Sequence, residues 1–306
     1  MIKKTIALGT ICWMLCISIA FSQKQISIRS ASDSSTLSFA TVFDVANKAV
    51  GSANEAGVFK ISAKDYNSFR ISYIGYEDLE IIPNAHKEFD TIYLTRKIST
   101  LKELVIKPCR LDAEEKISNL TDNNQALFGG VMSPKANNNG KVAVLIIPKK
   151  SPAKLLSLSF WLKRGLPFIP KYAEKSPFAI SFYSYSETTK LPGDLLYEKP
   201  VFYFPKKEGK QFLKLDTLNI NLPLEGMYVC FEFIQDEKYQ WNLRSNDSIV
   251  VNQGVSLDGT YSEGFGLAFF DYKTNSWIKH LTFARTRPDN THGTIKIEAS
   301  YRYCVE

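Results

Sequence analysis

"RISYIGYEDLEI", residues 70–81, decides how the first third of this 306-residue chain is read. With Phe69 ahead of it, the stretch begins as a strand. Phe69, Ile71 and Tyr73 fall on one face by the two-residue period, and Arg70 and Ser72 on the other. The alternation stops at Gly75, between Ile74 and Tyr76, and resumes at Leu79. A glycine that interrupts a strand pattern marks a bend, because glycine alone enters positive φ without strain. Such a bend is either the edge of a ligand site or the corner of a small β-domain packed by Tyr73 and Tyr76. The packing reading is preferred, and ligand chemistry is expected after residue 140.

Short strand patterns surround this one at regular spacing: Lys24–Ser30, Leu37–Val45, Val58–Ser62, Phe69–Ile74, Leu79–Ile82 and Thr91–Leu94. Gly51–Gly57 (GSANEAG) reads as a turn-rich connection. No 3.6-residue period is sustained. Residues 23–106 are therefore expected to form a small antiparallel β-sandwich, near the lower size limit for independent folding.

Four stretches in order carry a family resemblance: Phe39-Ala40-Thr41-Val42, Asn54-Glu55-Ala56-Gly57-Val58-Phe59, Ser72-Tyr73-Ile74-Gly75-Tyr76, and Leu101-Lys102-Glu103-Leu104-Val105-Ile106. Together they resemble the carboxypeptidase regulatory-like domain, a Greek-key, transthyretin-like sandwich with a carbohydrate-binding-like fold. Ala53 and Leu104 depart from the usual pattern, where Thr and Val are common. The resemblance implies a structural or binding accessory rather than a catalytic unit. It does not extend to a peptidase: His86, His280 and His292 are the only histidines, and none lies in an H-x-x-E or H-E-x-x-H context.

Residues 107–140 read as a linker, with a short helix expected over Leu111–Leu120 (LDAEEKISNL) capped by Asp112, and a polar loop at 133–140. From Lys141 the strand pattern returns, with about ten candidates up to Tyr303. Residues 141–306 are expected to form a larger jelly-roll-like antiparallel sandwich, so the fold class is all-β throughout. The "PFAISFYSY" strand and the "LPGDLL" loop, within 177–196, resemble the galactose-binding-like jelly rolls often joined to the first domain in exported proteins.

The N-terminus reads as a signal peptide, residues 1–22. Lys3 and Lys4 precede an apolar run, and Ala20-Phe21-Ser22 offers a small-x-small cleavage pattern. Trp13-Met14-Leu15 ahead of Cys16 does not suit lipidation. The mature chain is expected outside the cytoplasm: periplasmic, on the outer-membrane surface or secreted, with no transmembrane segment. Three cysteines remain, and whether Cys109 pairs with Cys304 stays open. Cys230, between Val229 and Phe231, reads as a buried small hydrophobe.

Net charge is +7, and +5 without Lys3 and Lys4. That is too modest to imply nucleic acid as a partner. Eight basic residues lie between Lys141 and Lys175 against Glu174. They read either as a patch for an anionic glycan or, preferably, as solvated loop ends that also block edge pairing.

Aromatics crowd the second half. In strand 178–185, Phe178, Ile180 and Phe182 face the core, while Tyr183 and Tyr185 face the other way. Tyr183, Tyr185 and Trp241, the last within the polar "DEKYQWNLRSND", are the candidate ligand-binding residues. Glu232, flanked by Phe231 and Phe233, reads as the wet face of an alternating strand. No catalytic, cofactor or metal motif is found, so no catalytic residue, cofactor or metal is expected. The expected role is non-catalytic binding of a glycan or a cell-surface protein. Two alternatives stay open: a polysaccharide- or peptide-directed hydrolase with its site in the second sandwich, and a purely structural adhesion module.

Overall fold

The computed structural model describes residues 23–44, 49–62, 68–82, 90–97, 111–120, 141–150, 153–163, 175–234, 240–245, 248–253, 256–262, 265–271, 274–279 and 292–304. The expected signal peptide, His86, His280 and Cys109 lie outside them. The chain is all-β, and no α-helix occurs among the described residues.

The first unit contains β1 (Gln23–Ser30), β2 (Thr41–Asp44), β3 (Ala49–Ser52), β4 (Val58–Ser62), β5 (Phe69–Ser72), β6 (Leu79–Ile81) and β7 (Thr91–Leu94). They form two sheets, in the orders β4-β1-β7 and β3-β2-β5-β6. Alternating side chains from both meet in one core, with Ile26, Ile28, Val42, Phe59, Phe69, Ile71, Ile92 and Leu94 all buried. Two expectations need correction. The unit is not wholly antiparallel, because β7 pairs parallel to β1. The chain reaches β7 from the other sheet, by way of β6, and enters beside β1 in the same direction. The predicted turn over Gly51–Gly57 also begins late, since Ala49–Ser52 is a strand paired with β2. The turn itself is an Asx turn: Asn54 Oδ1 accepts from the amides of Ala56 and Val58 at 2.9 and 3.0 Å.

The second unit contains β8 (Leu111–Ser118), β9 (Lys141–Ile146), β10 (Ala153–Lys163), β11 (Phe178–Tyr185), β12 (Pro192–Leu195), β13 (Val201–Tyr203), β14 (Gly209–Lys214), β15 (Asn221–Leu222) and β16 (Met227–Phe233). It continues with β17 (Gln240–Ser245), β18 (Ser248–Gln253), β19 (Ser256–Leu257), β20 (Gly259–Ser262), β21 (Leu267–Asp271), β22 (Ser276–Lys279), β23 (His292–Ile295) and β24 (Ile297–Cys304). One sheet has the order β14-β10-β24-β8, with β15 and β19 also on β10. The other has the order β12-β11-β16-β9-β21-β22, with β13 also on β11. Their inner faces share the main core, in which Phe160 meets Phe231 and Tyr203 edge-to-face at 5.0 and 5.1 Å. The strand expected over 212–222 is split by a single 3-10 turn, Asp216–Leu218.

The helix expected over Leu111–Leu120 is instead β8. It pairs antiparallel with β24 from Glu298↔Ser118 to Cys304↔Leu111. Alternation decides it: Ile117 is buried, while Glu114 and Lys116 on either side of Glu115 are exposed. Such an edge strand needs only one apolar face, and its charges discourage further pairing. The second sandwich therefore starts by residue 111, inside the expected linker.

The two sandwiches stack. Phe43, on the outer face of the β3-β2-β5-β6 sheet, is fully buried and packs on Phe270 of β21. Phe39 meets Phe202 edge-to-face at 5.0 Å. The outer face of the β11-β16-β9-β21 sheet is correspondingly apolar, with Ala143, Leu145, Tyr228, Cys230 and Ala268 all buried.

Candidate functional site

Between these two facing sheets lies a cleft of about 590 Å³. Its floor is the outer face of the second sandwich: Lys141 on β9, Tyr183 on β11, Glu232 on β16, Phe270 on β21 and Trp277 on β22. One wall is the turn that ends β5, Ser72 to Asp78, with Arg96 and Lys97 beside it; the other is the segment Gly193–Leu196 with Glu198.

Strand register assembles the floor. Glu232 lies directly opposite Lys141, and their side chains form a largely buried ion pair at 3.4 Å. The Lys141 ammonium lies 4.9 Å from the Phe270 ring centre and 5.9 Å from that of Trp277. Trp277 in turn meets Tyr183 edge-to-face at 5.6 Å. Burial pushes the Tyr183 phenol up to about 12, against the pull of Lys141, which hydrogen-bonds to it. Tyr183 is therefore neutral at physiological pH. Cys230, beneath this layer, is fully buried, and burial raises its thiol well above the ordinary value, so it is an inert packing group.

The wall from the first sandwich is the stretch that set the fold. Tyr73 and Tyr76 pack edge-to-face at 5.4 Å and lean on the first core. Burial, then the neighbouring Tyr76 and Glu232, raise the Tyr73 phenol above its ordinary value. The tyrosines do pack the corner, as expected, yet they also line the cleft. The cleft thus draws part of its lining from residues before 140. Gly75, at φ +81°, approaches the second sandwich so closely that an added Cβ would stand 2.9 Å from the Glu198 carbonyl oxygen. Arg96 clamps the rim. Its guanidinium contacts Asp33 and Glu198 at 3.3 Å each, and its Nε donates to the Tyr76 hydroxyl at 3.3 Å. The Ser35 and Ser30 hydroxyls, helped by Arg96, hold the Asp33 carboxyl down at about 2.

The sequence-predicted residues separate. Tyr183 lines the cleft. Tyr185 shares its face but stacks on Tyr228, with ring centres 6.3 Å apart and Lys190 over it, outside the cleft lining. Trp241 stands opposite Asn252 in the β17–β18 pair, and its side chain lies outside the described residues. Glu232 is on the outer face, as expected, but a second sandwich covers that face. The basic run disperses: Lys141 enters the floor, Lys150 bonds Tyr303 and Glu115, and Lys154 bonds Asn219. The sequence pattern does not single out Trp277 or Phe270, and for the 72–78 stretch it favours packing over a ligand edge. A usable signal existed in β9 and β16, whose runs KVAVLI and MYVCF are apolar on both faces. Two-sided burial means that the outer face is covered.

Among the described residues no three His, Cys, Asp or Glu side chains are grouped to hold a metal, and no helix is long and apolar enough to cross a membrane. No family model matches the chain, and no curated protein matches it. Among solved structures, the chain is similar to a clostridial cysteine protease, Cwp84 after propeptide cleavage, at TM-score 0.37 and 12% identity over 82% of this chain and 48% of that one. The chain thus spans about half the length of that protein, and so slight a likeness carries no argument about activity.

Proposed function

We propose that the chain is an exported, non-catalytic binding protein of the cell envelope that holds a carbohydrate in the cleft between its two sandwiches. The observation that carries this is the cleft itself. Aromatic rings from both units (Tyr73, Tyr76, Tyr183, Phe270 and Trp277) line a concavity edged by charged and polar groups. Rings supply flat apolar area, and fixed polar groups supply orientation, which is what saccharide recognition requires. Glu232 and Glu198 are held by Lys141 and Arg96, an arrangement that favours recognition over proton transfer. The export reading rests on residues 1–22. The two-sheet first unit, with Ser72–Tyr76 at its corner, supports kinship with carboxypeptidase regulatory-like domains.

A glycan array probed with the chain from Gln23 onward, followed by calorimetry on the hits, tests the reading. Trp277→Ala should weaken binding about tenfold or more, as loss of a stacking ring does. Trp161→Ala, on the sheet away from the cleft, should leave binding unchanged. An array on which no glycan binds, or a hit indifferent to Trp277, would overturn it.

A further inference from the structure

Resting on that reading, we infer that the saccharide taken by the cleft is cationic, one that carries free amino groups. The charge of the lining is opposite in sign to that of the chain. Five carboxylates (Glu77, Asp78, Asp194, Glu198 and Glu232) face three cations (Arg96, Lys97 and Lys141), in a chain whose net charge is +7. Internal pairing leaves two carboxylates, Glu77 and Asp194, against one cation, Lys97, so the lining stays net negative. Glu232 pairs with Lys141, Glu198 with Arg96, and Asp78 with Arg70 outside the lining. Glu77 and Asp194 enter no ion pair among the described residues, and both are exposed. They stand on opposite walls, one on each sandwich.

The floor points the same way by a different interaction. Phe270 and Trp277 already hold one ammonium, that of Lys141, within 4.9 and 5.9 Å of their ring centres. Their π-faces therefore form a surface that stabilises positive charge. A ligand amine placed between the walls would meet carboxylates on both sides and aromatic faces below. A uronic acid or sulfated sugar would instead bring its negative charge to Glu77 and Asp194. The volume, about 590 Å³, lies within the usual range for a ligand pocket.

Calorimetry in mildly acidic, low-salt buffer separates this inference from the reading beneath it. The probes are a glucosamine tetramer with free amines, its fully N-acetylated counterpart and a galacturonate tetramer. The free-amine tetramer should bind about tenfold tighter than the N-acetylated one and lose that advantage in high salt. The Glu77→Gln/Asp194→Asn double variant should abolish the preference without altering the melting temperature. Equal or tighter binding of the neutral or acidic tetramer would overturn the cationic inference and leave carbohydrate binding standing. Silence of all three would overturn the inference too, while silence of the whole array would overturn the reading itself.

Discussion

Gly75→Ala tests how the two sandwiches are held together. Gly75 sits at φ +81°, where an L-residue with a Cβ costs about 1–2 kcal/mol. The new Cβ would also stand 2.9 Å from the Glu198 carbonyl oxygen. That neighbour is backbone and cannot swing aside, so the wall itself must shift, at the roughly 1–3 kcal/mol typical of overpacking. The combined loss is about 2–5 kcal/mol. It should fall on docking rather than on either core, because Gly75 contributes no side chain to the clusters around Ile71 or Phe160. Urea unfolding followed by fluorescence should therefore show an earlier transition or a second, separate one. Small-angle scattering before unfolding should show a more extended molecule. Gly75→Asn tolerates the left-handed conformation but keeps the Cβ, so it should recover the conformational part alone. A Gly75→Ala protein with wild-type unfolding and a wild-type scattering profile would refute the claim that this turn seats one sandwich on the other.

Further outcomes follow from the same contacts. Lys141→Met removes the counter-charge of the largely buried Glu232 and should cost about 2–3 kcal/mol, less than a fully buried pair, while Glu232→Gln in the same background should restore part of the loss in thermal melts. Asp33 has a carboxyl lowered from 3.8 to about 2, so its stabilising contribution is present above pH 4 and is lost as pH falls through about 2. Asp33→Asn should lower the melting temperature above pH 4 and flatten its fall between about pH 4 and 2, so that the variant and the wild type converge in acid. Phe160→Ala empties a fully buried site in contact with Phe178, Tyr203 and Phe231 and should cost about 3–5 kcal/mol by denaturant unfolding. Tyr301→Phe deletes a hydroxyl that donates to Glu115 at 2.7 Å and accepts from the Lys149 amide at 3.2 Å; a loss of about 1–2 kcal/mol is expected.

Where one face of a strand is wet, period-two alternation places the elements well. Val58–Ser62 and Thr91–Leu94 coincide with β4 and β7, and Phe178–Tyr185 coincides with β11 although both of its faces are covered. It fails where local preference and tertiary pairing disagree. "LDAEEKIS" is rich in helix formers, and Asp112 offers a cap, yet the ladder to β24 prevails. The β1–β7 pair runs parallel because of the route between sheets, which no local pattern encodes. The cleft is legible only in fragments. Tyr183 is found because its face can be inferred, and the 70–81 stretch is found as a fold marker. That Gly75 meets Glu198, and Phe43 meets Phe270, depends on how one sandwich seats on another. Each of those residues looks ordinary in its own strand.

Because the cleft takes its walls from two separate cores, ligand occupancy and sandwich docking are thermodynamically linked. Whatever free energy a ligand gains from touching both walls is returned, by reciprocity, as resistance to their separation. At a ligand concentration a hundredfold above Kd the added cohesion amounts to about 2.7 kcal/mol. That is of the size that Gly75→Ala is expected to remove, so a true ligand should rescue that variant's melting behaviour. The interface thereby offers a way to recognise a ligand by the cohesion it restores, before its chemistry is identified.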